Sequence, residues 1–162
     1  MTDLTTIHDL AFRISRSESD AAAFDAIESA CADRFDHILF TALRFDYAAG
    51  VMTRLFSNRQ DVSPAGGTKP IPSGPWADRL ITQRRCYFGY SKEDLKEVFF
   101  DHEALWSIGC ESVMNVPVVW RGSTVGTFNV LGGPARYDEK DAAEMMILGQ
   151  LAAPIFIPRP RP

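Results

Sequence analysis

The feature that most constrains the fold of this chain is a β-rich segment in its C-terminal half. Residues 112–132 (SVMNVPVVWRGSTVGTFNVLG) contain two runs of β-branched and aromatic residues on either side of a polar, glycine-containing segment, 120–123. This pattern predicts a β-hairpin. Gly126 lies inside the second run, where the missing Cβ lets another backbone, a helix or a ligand come close. We therefore expect the second strand to be central in a sheet, beside a pocket.

The first third of the chain changes from helical to strand periodicity. Apolar residues recur every three or four positions, which predicts an amphipathic helix over 3–15. A second helix is expected to start with Asp20 as its N-cap, because a carboxylate there can accept free backbone N–H groups of the first turn. Two β-rich runs then flank the turn 46–50, and they predict a hairpin of strands 38–45 and 51–57.

The middle and the end of the chain contain shorter elements. Residues 58–75 include four prolines and three glycines, which predicts a long surface loop. Short helices are expected on either side of a short strand at 86–88. A closing helix is predicted after Tyr137 and is interrupted at Pro154, and the Pro/Arg-rich segment 158–162 is expected to be frayed.

Length and composition favour a single α/β domain over residues 1–162, with its core at about 20–157. Hydrophobic residues make up 46% of the chain and charged residues 23%, close to the averages of globular proteins. The net charge of −4 gives no electrostatic reason to expect nucleic acid or an anionic membrane as a partner. No segment approaches the roughly 20 apolar residues of a membrane span.

Two further observations indicate a cytoplasmic location. The first twenty residues contain Asp3 and lack an unbroken apolar core, so they do not form a signal peptide. The three cysteines, Cys31, Cys86 and Cys110, are odd in number and widely spaced. They predict neither a disulfide framework nor a zinc ribbon, and a reducing compartment fits them best.

The order of elements and three motifs resemble those of the GAF domain family. The motifs are the end of the entry hairpin at 45–46, the block 109–118 (GCESVMNVPV) with Gly122 and 125–127 after it, and the helix start at 137–141. The block resembles the family patterns G-x-x-S-x-x-x-V-P and G-x-x-x-G. The resemblance implies an α+β fold in which a central antiparallel sheet has the terminal helices on one face. Short helices and loops are then expected to cover a pocket on the other face.

The resemblance also implies a function, that of a sensory or regulatory domain that binds a small molecule without catalysis. In the family, the ligand lies between the sheet and the segment that corresponds to 74–110, which here also supplies Phe99 and Phe100. Apolar walls with a few convergent polar groups are typical of such sites, although the same aromatic residues can simply fill a core. The candidate ligand-binding residues are Thr41, Trp76, Phe88, Tyr90, Trp106, Ser112, Asn115, Thr127 and Asn129.

Several known ligand classes of the family do not fit the sequence. Cyclic-nucleotide-binding members have a signature of Asn-Lys, then Phe, then Asp-Glu. At the corresponding positions this chain has Asn129-Val130, Tyr137 and Asp141-Ala142, so the Lys and the Glu of the signature are missing. Bilin-binding members attach the chromophore to a cysteine commonly followed by histidine, which neither Cys86 nor Cys110 is. We therefore expect neither a cyclic nucleotide nor a covalent bilin.

No metal ion or other cofactor is expected either. The three histidines, His8, His37 and His102, are scattered along the chain, and none has a partner at a spacing typical of metal or heme ligands.

Two alternative functions remain open from the sequence. One is a free methionine-(R)-sulfoxide reductase that uses Cys86 and Cys110, although that branch has its Cys-Asp further upstream of the Val-Pro strand. The other is a ligand-free dimerisation module. The apolar stripe of the first helix can complete the monomer or bind a second copy, and we expect a homodimer through the terminal helices.

Overall fold

A six-stranded antiparallel sheet forms the centre of the computed structural model, which describes residues 3–158. Four residues of the predicted frayed tail, 159–162, lie outside the described part. The strands are β1 (Leu39–Asp46), β2 (Val51–Ser57), β3 (Thr68–Pro70), β4 (Tyr87–Gly89), β5 (Ser112–Trp120) and β6 (Ser123–Gly132). Their order in the sheet is β3-β2-β1-β6-β5-β4. The two predicted hairpins, β1–β2 and β5–β6, therefore form the middle of the sheet and pair through β1 and β6.

Helices cover both faces of this sheet. The terminal helices pack on one face; they are α1 (Leu4–Ser15), α2 (Asp20–Phe35), α6 (Glu139–Leu151) and α7 (Ala153–Phe156). The short helices pack on the other; they are α3 (Pro75–Ala77), which continues into the π-helical turn Asp78–Thr82, α4 (Lys92–Val98) and α5 (His102–Ser107). The α+β architecture expected from the sequence is confirmed.

The alternation of side chains along β1 explains why both faces are covered. Phe40 and Ala42 belong to the hydrophobic cluster under the terminal helices, while Leu39 and Leu43 belong to clusters under the short helices. Successive side chains of a strand point to opposite faces, so a strand with apolar residues at both odd and even positions is buried on both. We call these two sides of the sheet the terminal-helix face and the pocket face.

Two local details differ from the sequence-based expectations. Ser19, and not Asp20, is the N-cap of α2, and its hydroxyl accepts a hydrogen bond from the backbone N–H of Ala22 at 3.1 Å. Both residue types are good caps, and the helix starts one residue earlier than predicted, at Asp20. The segment 58–75 is not loop throughout, because 68–70 pairs with β2 as the edge strand β3.

Over residues 3–158, none of the helices combines the length and the apolar character needed to cross a bilayer.

Candidate functional site

A pocket of about 170 Å³ lies on the pocket face, between the sheet and the short helices. It is lined by Leu43, Met52, Lys69, Pro70, Pro72, Trp76, Val98, Phe99, Phe100, Asn115 and Asn129. We call it the main pocket. Its walls are mostly apolar, and its polar groups are Lys69 and two buried asparagines of the sheet. Phe100 is 76% exposed and lies where the pocket meets solvent.

A second, smaller space of about 20 Å³ lies next to the main pocket, and we call it the side cavity. It is lined by Leu39, Thr41, Arg54, Ser63, Lys69, Phe99, Asp101, Leu105, Asn129 and Leu131. Lys69, Phe99 and Asn129 line both spaces, so the two are adjacent and we treat them as parts of one site. The side cavity contributes the charged groups and the main pocket contributes most of the apolar wall.

A chain of buried hydrogen bonds crosses the sheet at this site. The indole Nε1 of Trp76 donates to Asn115 Oδ1 at 3.0 Å. Asn115 Nδ2 donates to Asn129 Oδ1 at 2.6 Å, and Asn129 Nδ2 donates to Thr41 Oγ1 at 3.0 Å. We call these four residues the polar row. Their side chains are at most 5% exposed, so each depends on the others for its hydrogen bonds.

Strand register explains why the polar row exists. Asn115 on β5 lies directly opposite Asn129 on β6, and Asn129 lies directly opposite Thr41 on β1. Side chains at such paired positions lie about 4.5–5.5 Å apart, within reach of one hydrogen bond. Three residues that are far apart in the sequence are thereby brought onto one line across the pocket face.

Three charged side chains meet at the side cavity. Burial lowers the pKa of Lys69 to about 8, and the negative charge of Asp101 opposes this effect. Burial also lowers the pKa of Arg54 from its usual value, and the negative charge of Asp101 again acts in the opposite direction by raising it. Within residues 3–158, no ion pair joins either cation to Asp101. The buried Nε of Arg54 and the buried Oδ1 of Asp101 have no hydrogen-bond partner in the described chain.

Four of the residues predicted from the sequence meet at this site: Thr41, Trp76, Asn115 and Asn129. The structure places the other five elsewhere. Phe88 packs against the cluster of the terminal-helix face and stacks on Tyr90, which is 47% exposed. Trp106 packs beside the cluster around Leu105.

The two remaining candidates are buried but line neither space. The Ser112 hydroxyl donates to the backbone carbonyl of Gly133 at 2.6 Å, so it holds the segment that follows β6 against the start of β5. Thr127 is fully buried, and its hydroxyl has no hydrogen-bond partner among the described residues. Ser112 lies three positions from Asn115 on β5, so alternation places it on the terminal-helix face, with Met114 and Val116. Thr127 shares the pocket face with Asn129, and alternation does not give its distance from the pocket, so sequence could not separate Thr127 from the polar row.

The charged residues of the side cavity, Arg54, Lys69 and Asp101, were not identified from the sequence. One signal was present: Lys69 is the only charged residue between Asp61 and Asp78, inside a segment of prolines and glycines. A single cation in such a loop indicates a specific location for it. Nothing comparable marks Arg54 or Asp101, each of which has charged residues close by in the sequence.

The cysteines are free and buried. Burial raises the pKa of Cys86 and of Cys110 to about 12 in each case, and it raises the pKa of Cys31 as well. Cys86 belongs to the cluster of the terminal-helix face, whereas Cys110 belongs to a cluster of the pocket face. Thiolates, the reactive form, are therefore disfavoured at all three positions.

No group of three His, Cys, Asp or Glu side chains within residues 3–158 is arranged to hold a metal ion.

Comparison with known proteins gives matches in structure alone: no protein-family model and no curated protein matches the sequence. The GAF domain of a phosphoenolpyruvate-protein phosphotransferase from Acinetobacter superimposes with a TM-score of 0.73 at 13% identity, over 96% of this chain and 94% of that chain. The corresponding domain from Coxiella burnetii gives a TM-score of 0.72 at 11% identity, over 94% and 91%.

An enzyme is also among the structural neighbours. The free methionine-R-sulfoxide reductase from Neisseria meningitidis, solved with its substrate, superimposes with a TM-score of 0.62 at 13% identity. The match covers 93% of this chain and 85% of the reductase. GAF domains of two phosphotransferases and a sulfoxide reductase are thus similar in fold to this chain. The chain has the GAF-domain fold.

Proposed function

We propose that this chain is a sensory or regulatory GAF domain of the cytoplasm that binds a small organic molecule in the main pocket and the side cavity. The observation that carries this proposal is the polar row, a buried line of hydrogen-bonding side chains that borders two adjacent spaces. Buried polar groups cost stability compared with apolar residues of the same shape, and they commonly serve orientation or specificity. A core whose only role was stability would not need three polar side chains in register at this position.

The size of the main pocket favours a metabolite over a larger cofactor. Its volume of about 170 Å³ is close to that of an engineered apolar cavity of roughly 150 Å³ that binds benzene. Sites for drug-sized ligands are typically about 300–1,000 Å³. A ligand of about six to ten non-hydrogen atoms fits this volume.

Native mass spectrometry of the purified chain tests the proposal. We expect an additional mass that is lost under denaturing conditions, or, for a protein purified empty, a stabilising thermal shift with members of a metabolite library. Val98→Trp should abolish both, because Val98 is half-buried on the pocket wall and the larger side chain fills the space. Ala104→Trp adds the same side chain at an exposed helix position and serves as the control. Equal binding by the Val98→Trp variant would reject the main pocket as the site.

The structure supports the alternative function, a free methionine-(R)-sulfoxide reductase, less well than it supports ligand binding. A sulfoxide reductase of this kind needs a thiolate nucleophile and a second thiol within reach. Here the pKa of both Cys86 and Cys110 is raised to about 12, and the two cysteines lie in different hydrophobic clusters. Neither cysteine lines the main pocket or the side cavity. We therefore assign the three cysteines a packing role.

We further propose that the chain forms a homodimer through its terminal helices. Leu10 is buried beneath α1, but Leu4 is 83% exposed, and Ile147 on α6 is 49% exposed beside it. These two residues and Ile7 line an open apolar groove between α1 and α6. The groove is also lined by both signs of charge, Lys140 and the Glu144 carboxylate, which pairs with Arg34 within the chain. A second copy related by a two-fold axis can cover the apolar strip and place opposite charges together.

Sedimentation velocity of Ile147→Glu tests this interface. We expect wild-type chain to sediment as a dimer at tens of micromolar, which corresponds to roughly 6–7 kcal/mol of association free energy. Ile147→Glu should be monomeric and folded, because the residue is exposed in the monomer. Its thermal midpoint should be independent of concentration, whereas that of the wild-type dimer should rise with concentration, since subunit association stabilises the folded state. The control is Ala104→Glu, at an exposed position on the opposite side of the sheet, which should remain dimeric. A wild-type monomer at this concentration would contradict the proposal.

A further inference from the structure

We propose that the side cavity binds the anionic group of a small organic carboxylate whose apolar part occupies the main pocket. This inference rests on the proposed function and names the chemical class of the ligand. It follows from the direction of the hydrogen bonds in the polar row and from the charges at its end.

Trp76 fixes the direction of the entire polar row. An indole N–H can only donate, so the side chain of Asn115 must present its oxygen to Trp76 and its NH₂ group to Asn129. Asn129 must in turn present its oxygen to Asn115 and its NH₂ group to Thr41.

The consequence reaches the side cavity. Thr41 lines the cavity, and its oxygen already accepts from Asn129. Within the described chain the Thr41 hydroxyl donates to no other group, so its proton is available to an acceptor in the cavity. The polar row therefore ends at the side cavity in a hydrogen-bond donor, the Thr41 hydroxyl.

The cations add further donors at the same place. The Nε–H of Arg54 is buried and has no partner among residues 3–158, although its Nη1 donates to the backbone oxygen of Pro64 at 3.1 Å. Lys69 makes no side-chain hydrogen bond in this part of the chain; its ammonium lies 5.1 Å from the centre of the Phe99 ring. A buried N–H without a partner costs roughly 1–3 kcal/mol. An oxygen-rich ligand group would supply the missing acceptor.

The charge of the site favours an anion. Two cations and one carboxylate line the side cavity, which leaves one net positive charge in a poorly solvated space. Asp101 weakens the attraction between the cavity and an anionic ligand but does not cancel it, since no ion pair joins Asp101 to Arg54 or Lys69 in the described residues. Its role in this arrangement is to keep Lys69 protonated, as its negative charge favours the charged form of the amine.

The two spaces together define the ligand class. The side cavity of about 20 Å³ has room for about one or two non-hydrogen atoms, which suffices for the oxygens of a carboxylate whose carbon lies at the border with the main pocket. The main pocket is bounded by apolar side chains such as Leu43, Met52 and Trp76. A planar carboxylate with a compact apolar body fits both. Benzoate and its neutral isostere benzamide are matched probes, since they differ mainly in charge and in the donors of the amide.

Isothermal titration calorimetry with benzoate and benzamide tests the proposal. We expect benzoate to bind at least tenfold more tightly than benzamide. Lys69→Met should remove most of this preference. Measured well below the pKa of Lys69, where the amine is protonated without the help of Asp101, Asp101→Asn should strengthen benzoate binding several-fold, because it removes a negative charge from the cavity. Lys96→Met removes a cation from an exposed position on α4 and should change neither affinity. The opposite signs expected for Lys69→Met and Asp101→Asn cannot arise from a general loss of folding.

The dependence of benzoate affinity on pH gives a second readout. The pKa of Lys69 is about 8 in the free chain, with Arg54 and Asp101 as the charged groups that face it across the cavity. A bound anion favours the protonated amine, so affinity should fall as the pH rises through that value. At pH 9 about a tenth of the Lys69 side chains stay protonated, and binding should be about tenfold weaker than well below the pKa. Lys69→Met should show no such fall.

The outcomes separate this proposal from the one on which it rests. Equal binding of benzoate and benzamide, both abolished by Val98→Trp, would retain the pocket and overturn the anion assignment. Benzoate preference that survives Lys69→Met would also overturn the assignment. If neither probe bound and the metabolite library gave no thermal shift, the proposed function itself would be wrong.

Discussion

Replacing Gly126 by valine is expected to lower the free energy of unfolding by about 3 kcal/mol, the upper part of the usual range for overpacking a core. Valine is the better β-former, so intrinsic propensity alone predicts the opposite sign. The expected loss of stability comes entirely from the lack of space around Gly126. Even alanine should be destabilising here.

Neighbouring atoms leave no room for a side chain at this position. A Cβ built on Gly126 would lie 2.4 Å from the backbone oxygen of Leu43 and 2.4 Å from Cδ1 of Phe156. Both distances are far below van der Waals contact. Phe156 is itself buried in α7, at ring-centroid distances of 5.2 Å from Phe128 and 5.8 Å from Phe24, so its ring cannot simply turn away. Either β1 or α7 must move.

Urea unfolding of Gly126→Ala and Gly126→Val measures this effect, and Gly133→Ala is the matched control. A Cβ at Gly133 meets nothing within 4 Å, so alanine there should be neutral or slightly stabilising through the entropy of the unfolded chain. An unchanged urea midpoint for both Gly126 variants would contradict the packing of α7 on β6.

Gly126 also illustrates what the sequence could predict about the fold. A glycine within a run of β-formers indicates a close approach, and the expected central hairpin is present as β5 and β6. The identity of the approaching group, a phenylalanine thirty residues later on the terminal-helix face, was not predictable. Periodicity specifies which side chains share a face, but not which helix packs against them. The N-cap of α2 shows a similar limit, since Ser19 and Asp20 are adjacent and both suitable.

The candidate site was predictable only in part, for a related reason. Thr41, Asn115 and Asn129 stand out as polar residues in apolar strands, and the register brings them together. The charged end of the site depends instead on the edge strand β3 and on the segment between α4 and α5, which carry Lys69 and Asp101. Loop conformations of this kind are set by tertiary contacts, so their residues could not be assigned to one cavity from local sequence.

Replacing Asn115 by leucine is expected to destabilise the chain by about 3 kcal/mol. Leucine has a similar size and removes the middle of the polar row. Trp76 Nε1 and Asn129 Oδ1 then lose their partners in a region that is at most 3% exposed. Each buried group without a hydrogen bond costs roughly 1–3 kcal/mol, and burial of the apolar leucine side chain offsets part of that cost.

A double-mutant cycle with Trp76→Phe isolates the hydrogen-bond contribution. Trp76→Phe alone leaves Asn115 Oδ1 without its donor, but in the double variant neither member of the pair remains. The double variant should therefore be more stable than the sum of the two single effects by about 1–2 kcal/mol, as measured by urea unfolding. Trp106→Phe is the matched control, because the buried Nε1 of Trp106 has no partner in the described chain, and its effect should add to that of Asn115→Leu. Additive effects in the Trp76 cycle would mean that Trp76 does not donate to Asn115, and the direction assigned to the polar row would be lost with that hydrogen bond.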